Sequence, residues 1–176
     1  CALPICAMRL NLKDIIHVPG AVRPFVFQLD LSDLEFSGIR PIDRPISVTG
    51  QVRNMAGALV LEGAASTTLH LVCDRCAKPF TREKVVPIST LLATELADEA
   101  NDGEIVLLDG DEVDLGEVAT TAFVLAMDTK NLCSEDCKGI CAGCGVDLNV
   151  GVCQCRPEVD PRLAVLAKLL EDKESE

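Results

Sequence analysis

Ile46-Ser-Val-Thr-Gly-Gln-Val52, Asn54-Met-Ala-Gly57 and Ala58-Leu-Val-Leu-Glu62 stand in close succession. The first alternates apolar and polar side chains, the period of a strand with one buried face. The second has the composition of a tight turn, and the third resumes a strand. Upstream, Val26-Phe-Gln-Leu-Asp-Leu31 alternates in the same way, and Pro41 and Pro45 mark irregular chain between the two. Downstream, Ala65 to Val72, rich in Thr and Leu, extends the strand or forms the next one, and Arg82 to Thr94 reads as a further strand. The sum is an antiparallel meander.

Beyond it, Ile105 to Leu108 and Glu112 to Leu115 read as a short hairpin across Asp109-Gly110. The period then changes. Leu115, Val118, Ala122, Leu125 and Ala126 share one face of a helix running to Met127, with Asp114 placed to cap it. A last helix is signalled by Asp160 at an N-cap position, Pro161 at the first helical position and an apolar stripe of Leu163, Leu166, Leu169 and Leu170. The expected fold class is α+β: an antiparallel β meander with one packed helix, a cysteine-rich zinc-binding segment and a C-terminal helix. Residues 8–130 form the expected core, and residues 131–176 the zinc-binding segment and terminal helix packed on it. Met8-Arg-Leu-Asn-Leu-Lys13 looks like a natural start. Residues 1–7 therefore read as a leader foreign to the native chain or the product of a misplaced start, and Cys1 and Cys6 are set aside.

A chain of 176 residues can bury roughly 70% of its unfolded surface, so metal adds to a core here and does not replace one. Trp and Tyr are absent, which leaves little of the aromatic platform that single-stranded nucleic acid stacks on. The net charge of −12 opposes tight non-specific RNA binding. The charge is unevenly spread. Arg40 to Lys84 holds seven basic and four acidic residues, whereas Glu95 to Glu117 holds ten acidic and no basic ones. The basic stretch (Arg40, Arg44, Arg53, Arg75, Lys78, Arg82, Lys84) leaves a local RNA contact open, and the acidic stretch suits a basic protein partner or simple solvation. No apolar run reaches the ~18 residues of a membrane helix, and the opening residues lack the parts of a signal peptide. A reducing cytoplasm is the expected compartment, and of the ten cysteines the eight beyond Cys1 and Cys6 are expected to serve metal.

Eight of those cysteines fall into four close pairs: Cys73-x-x-Cys76, Cys133-x-x-x-Cys137, Cys141-x-x-Cys144 and Cys153-x-Cys155. Zinc takes four ligands in a tetrahedron, and thiolates are a preferred structural set. A two-residue spacer lets the backbone turn both sulfurs toward one ion, and Gly145 after Cys144 suits a zinc knuckle. One or two Zn2+ ions fit. With two, Cys141, Cys144, Cys153 and Cys155 close one site, and Cys73, Cys76, Cys133 and Cys137 the other. With one, Cys73, Cys76, Cys141 and Cys144 hold it. Iron and redox-active dithiols are the competing chemistries. Of the two histidines, His70 lies near Cys73 as a further possible ligand, or as an ordinary strand residue. No nucleophile elbow, P-loop or dinucleotide fingerprint is present.

The run Leu132-Cys-Ser-Glu-Asp-Cys-Lys-Gly-Ile-Cys-Ala-Gly-Cys-Gly-Val-Asp-Leu-Asn149, followed by Asp160-Pro-Arg-Leu-Ala164, resembles the YceD family. Cys73-Asp-Arg-Cys-Ala-Lys-Pro-Phe80 looks like that family's Cys-x-Arg-Cys motif, and Met8-Arg-Leu-Asn-Leu12 like its usual start. The family comprises the large ribosomal RNA subunit accumulation proteins. Its bacterial members are typically encoded beside a large-subunit ribosomal protein, and its plastid relatives support accumulation of large-subunit rRNA. Some relatives retain fewer cysteines, so by resemblance the zinc stabilises this branch. The resemblance implies a non-enzymatic ribosome-biogenesis factor whose partner is large-subunit rRNA precursor or a basic large-subunit ribosomal protein, with no small-molecule substrate. The alternatives are a metal- or thiol-dependent enzyme, either oxidoreductase or nuclease, and a zinc-bearing chaperone for a basic ribosomal protein.

Overall fold

In a computed structural model, which describes residues 8–36, 38–94 and 105–155, the alternating segments become strands. The elements in chain order are β1 (Arg9–Asn11), α1 (Lys13–Ile16), β2 (Val22–Leu29), β3 (Ile46–Met55), β4 (Ala58–Val72), β5 (Pro79–Ala93), β6 (Ile105–Leu107), β7 (Glu112–Asp114) and α2 (Leu115–Leu125). The fold class is α+β. A five-stranded sheet has the order β2-β3-β4-β5-β6, and β1 and β7 pair separately. Residues 1–7, expected to be a leader, residues 95–104 of the acidic stretch and the segment expected to form the C-terminal helix lie outside the described residues.

Side-chain alternation sets the core. Ile46, Val48 and Val52 of β3, Leu59, Leu61, Ala65, Leu69 and Leu71 of β4, and Val86, Ile88 and Leu92 of β5 are buried. Within each strand they are separated by even numbers of residues, so each set lies on one face. The segment from Ala65 extends β4 and does not open a new strand, giving one fifteen-residue strand across Gly63. Gly63 is tolerated because it pairs with Gly50 of β3, which in turn faces Phe25 of β2. A Cβ at Gly50 would meet the Glu62 carbonyl and lie 2.6 Å from the Phe25 ring. The ring thus occupies the space that two missing side chains leave.

Asn54 is more than a turn residue. It is buried, and its Nδ2 donates to the carbonyls of Ile15 and Ile16, each at 2.7 Å, while its Oδ1 accepts from the Gly57 amide at 2.8 Å. It satisfies terminal carbonyls of the short α1 and fixes the β3–β4 turn, where Ala56 and Gly57 take φ of 55° and 102°.

Two sequence expectations are corrected. The segments 105–108 and 112–115 do not pair as one hairpin. Only Asp109 and Glu112 bridge, across Gly110, before the strands diverge. β6 runs parallel to β5, with Leu91 opposite Ile105, and β7 pairs antiparallel with β1, Leu10 opposite Val113. Parallel pairing cannot be closed by a tight turn, so a two-residue hairpin across Asp109-Gly110 could not give the β5–β6 pairing. The apolar Ile105 and Val106 gain a sheet edge, while Val113 is covered by the N-terminal strand.

The second correction concerns α2. Asp114 caps it as expected, accepting from the amides of Gly116 and Glu117 at 2.9 and 3.1 Å. The buried face, however, centres on Leu115, Ala119 and Phe123, with Met127 just beyond, while Leu125 is 80% exposed. Phe123 is the largest apolar side chain on the helix and takes the core-facing position, which turns the Leu125 edge of the expected stripe to solvent.

The chain divides into two compact units. The first contains the elements above, up to Val72 and from Pro79 to Asn131. The second consists of the β4–β5 connection Cys73–Lys78 and the chain from Leu132 onward. Among the described residues it has turns and one isolated bridge, Ile140 to Asp147, in place of long elements. No helix among the described residues is long and apolar enough to cross a membrane.

The rotated helix face is testable by urea unfolding. Phe123→Ala should cost about 3–5 kcal/mol, whereas Leu125→Ala should stay within about 0.5 kcal/mol of the parent. Equal losses would restore the stripe expected from sequence.

Candidate metal centres

The second unit is built on two copies of one turn. In Cys73-Asp-Arg-Cys-Ala-Lys78, the Ala77 amide donates to the Cys73 carbonyl at 2.8 Å and the Cys73 amide to the Lys78 carbonyl at 2.9 Å. In Cys141-Ala-Gly-Cys-Gly-Val146, the Gly145 amide donates to the Cys141 carbonyl at 2.8 Å and the Cys141 amide to the Val146 carbonyl at 2.8 Å. The residue after the second cysteine has positive φ in both, 55° at Ala77 and 73° at Gly145. The turn aims both sulfurs of each pair to one side, as the expected knuckle requires.

Cys133 and Cys137 complete the first set, and Cys153 and Cys155 the second. The four sulfurs of each set lie within 4.8 Å of one another. In the inner set, Cys73 and Cys137 are 3.8 Å apart and Cys76 and Cys133 3.7 Å. A tetrahedron with metal–sulfur bonds of about 2.3 Å has edges of about 3.8 Å, so this spacing fits Zn2+. In the outer set, the Cys153 sulfur lies 3.2 Å from that of Cys141 and 3.5 Å from that of Cys144. These separations are far beyond a disulfide bond of about 2.05 Å, and all eight thiols are free. The geometry gathers the sulfurs into two tetrads and does not join Cys73 and Cys76 to Cys141 and Cys144.

The tetrads differ in burial. Cys73, Cys76 and Cys137 are buried and Cys133 exposed, whereas Cys144 and Cys155 are exposed and Cys141 and Cys153 half-buried. Each contains one acidified thiol. Amides of Cys133, then Cys76 and Arg75, bring Cys73 down to about 6, although burial opposes them. The Cys144 amide, the Cys153 thiol and the Gly143 amide bring Cys141 down to about 6. Their neighbours move the other way. Burial and then the surrounding sulfurs push Cys133 up to about 12, and the Cys153 and Cys144 sulfurs push Cys155 up to about 12. Cys76 is raised against the pull of the Lys78 amide by burial and the Cys73 sulfur, and Cys153 is raised chiefly by Cys141. Four crowded sulfurs cannot all hold negative charge without a cation among them.

The profile of the family described as large ribosomal RNA subunit accumulation protein YceD matches residues 61–170. The chain belongs to this family. It is similar to a large ribosomal RNA subunit accumulation protein YCED homolog 1, chloroplastic, of Zea mays, 26% identical over 85% of this chain and 61% of the maize protein. The homologue of the same name in Arabidopsis thaliana is 25% identical over 74% of this chain and 50% of its own length. An uncharacterized protein of Mycobacterium tuberculosis is 27% identical over 91% of this chain and 73% of its own. The chain thus spans between half and two thirds of the length of these plant relatives. No solved structure matches. The matched segment contains both tetrads.

Of the basic residues singled out as RNA contacts, Arg75 and Lys78 sit inside the second unit. Arg75 donates to the carbonyls of Cys137 at 2.7 Å and Glu135 at 3.4 Å. Its own carbonyl accepts from the Ile140 amide, and Gly139, at φ 76°, passes so close that a Cβ there would lie 2.9 Å from it. Lys78 pairs with Asp147 at 2.5 Å. Arg82 and Lys84 converge on Asp128 at 3.4 and 2.9 Å, and Arg40 faces Asp33 at 3.7 Å. Arg44 and Arg53 are exposed. His70 pairs with Asp43 at 3.1 Å and belongs to neither tetrad.

Sequence reasoning missed Asp147 and Asn149. Lys78 holds the Asp147 carboxyl down to about 2, aided by Asn149. Asn149 accepts from the Lys138 amide at 2.8 Å and donates to Asp147 at 2.7 Å and to the Cys137 sulfur at 3.5 Å. An Asp-x-Asn directly after a knuckle was the available signal, since such side chains commonly bond to nearby backbone.

The thiol balance sets a pH dependence. At pH 7 the raised pairs, Cys76 with Cys133 and Cys153 with Cys155, carry protons that a bound cation must displace. Metal loading should therefore release at least these two protons per tetrad, and affinity should fall as pH falls. Proton release in a weakly buffered Zn2+ titration checks this. No release would show that the sulfurs are not the ligands.

Proposed function

We propose that this chain is a non-enzymatic binding factor that supports accumulation of large-subunit ribosomal RNA, with one structural Zn2+ in each cysteine tetrad. The single observation that carries the reading is the pair of all-cysteine tetrads within a chain of this family. Four thiolates fill a tetrahedral zinc ion and leave no position for a catalytic water, which is the mark of a structural site. When bound, the metal supplies charge neutralisation and a cross-link between segments distant in sequence. The residues of this chain supply everything else: amides that stabilise thiolates, Arg75 and Lys78 that anchor the segments, and the sheet.

The partner that the charge layout favours is a basic large-subunit ribosomal protein. Five of the seven basic side chains first considered for RNA already face a carboxylate or backbone carbonyls, and the net charge of −12 repels phosphate. Direct contact with rRNA precursor, through Arg44 and Arg53, is the other arm. The cytoplasm, or the plastid in plants, is where such work takes place. A thiol-exchange enzyme is the second reading, favoured by the low Cys73 and Cys141 thiols.

Depletion of the protein in its native cell should lower large-subunit rRNA relative to small-subunit rRNA, measured by quantitative RNA analysis. Crosslinking and pull-down with both RNA and protein identification should return a basic large-subunit protein. Unchanged rRNA ratios would sink the accumulation role. Zinc-loaded protein whose thiols still exchange rapidly with a glutathione buffer would favour the enzyme.

A further inference from the structure

The two tetrads are joined through the ligand loop of one and the ligand segments of the other. The loop between Cys144 and Cys153 belongs to the outer tetrad. From it, the Asn149 Nδ2 donates to the Cys137 sulfur of the inner tetrad at 3.5 Å, and the Asn149 Oδ1 accepts from the amide of Lys138, next to Cys137, at 2.8 Å. The Leu148 amide donates to the Gly139 carbonyl at 2.9 Å. Asp147 pairs with Lys78, two residues after Cys76. Three consecutive residues thus reach both segments that supply the inner ligands. Asn149 is itself held by Asp147, through its amide at 2.9 Å and its side chain at 2.7 Å, so the group moves with the loop.

We propose that the two metal centres are thermodynamically coupled: an ion in the outer tetrad fixes the Cys144–Cys153 loop, and Asn149 and Asp147 on that loop position the inner ligands for their own ion. This rests on the reading of both tetrads as metal sites. Groups that hydrogen-bond or orient metal ligands typically change affinity by roughly ten- to a hundredfold. A coupling between two sites is reciprocal, so each ion strengthens the other by the same factor. Asn149 is a positioning residue, acting through Cys137. The N–H···S bond also withdraws charge from that sulfur, which gives it a spectroscopic trace.

The test uses the reduced, metal-free full chain, titrated with Co2+ against a chelator of known affinity and read by its sulfur-to-cobalt charge-transfer bands. Cys144→Ser with Cys153→Ser removes the outer site, and Cys73→Ser with Cys76→Ser removes the inner one. The inner site should lose about tenfold or more in affinity when the outer is removed, and the outer site should lose the same factor when the inner is removed. Asn149→Asp, which keeps the acceptor for Lys138 but loses the Nδ2 donor to the Cys137 sulfur and to Asp147, should still bind two ions. It should weaken the inner one and move the inner charge-transfer band to longer wavelength. Equal inner affinity with and without the outer tetrad, or a loss in one direction only, overturns the coupling while leaving both metal sites standing. If the double variants do not fold, Asn149→Asp decides alone: unchanged affinity and an unmoved band overturn the proposal. A parent chain that binds no Co2+ through sulfur overturns the metal reading and this inference with it.

Discussion

The antiparallel register between β4 and β5, unbroken from Leu59 opposite Leu92 to Val72 opposite Pro79, is the constraint on which the rest depends. In the chain, the six-residue connection Cys73–Lys78 follows β4 and leads into β5, and it is the first of the two cysteine knuckles. A slip of one residue would turn Leu59, Leu61, Leu69 and Leu71 from the core to solvent. Among the described residues that apolar face packs with no aromatic side chain other than Phe.

The sheet was legible because its residues alternate over long runs, and α2 because Asp114 stands before a helical period. What the sequence concealed had physical causes. Ile105 to Leu107 and Glu112 to Asp114 are three-residue strands, too short for alternation to name their partners. A nearby turn made them look like one hairpin, whereas the open edge of β5 and the N-terminal strand each took one. The face of α2 was misread because Leu125 weighs as much as Phe123 in a count of apolar positions, while volume decides which one the core takes. The four cysteine pairs were plain from spacing, but their division into tetrads depends on which turns approach each other, and spacing left that open. Asp147 and Asn149 escaped because ordinary polar residues in a loop acquire a role only through their partners.

Two arrangements of charge run through the second unit. Amides aimed at sulfur lower Cys73 and Cys141, while burial raises Cys133 and the neighbouring sulfurs raise Cys155. For the metal sites proposed above, each tetrad thus has one thiol that ionises readily and one that resists, an arrangement suited to stepwise capture of a cation. Around them, the Lys78–Asp147 pair and the Arg75 guanidinium fasten backbone that no helix or sheet organises. Basic residues that a charge map assigns to a partner are thereby committed within the molecule.

The two tetrads span the chain unevenly: in the inner one Cys133 lies 57 positions after Cys76, whereas in the outer one Cys153 lies nine after Cys144. On a ribosome that builds the chain from its N-terminus, β3, β4 and the first knuckle emerge long before the sulfurs that complete the inner site. Cys73 and Cys76 must then wait as an unfinished half-site while β5 to α2 are made. The outer site needs only a short stretch and closes almost as soon as it appears. For the metal sites proposed above, chain order thus builds in a period when Cys73 and Cys76 are open to oxidation or to another cation. Its length is set by the synthesis of the elements between the two halves of one centre.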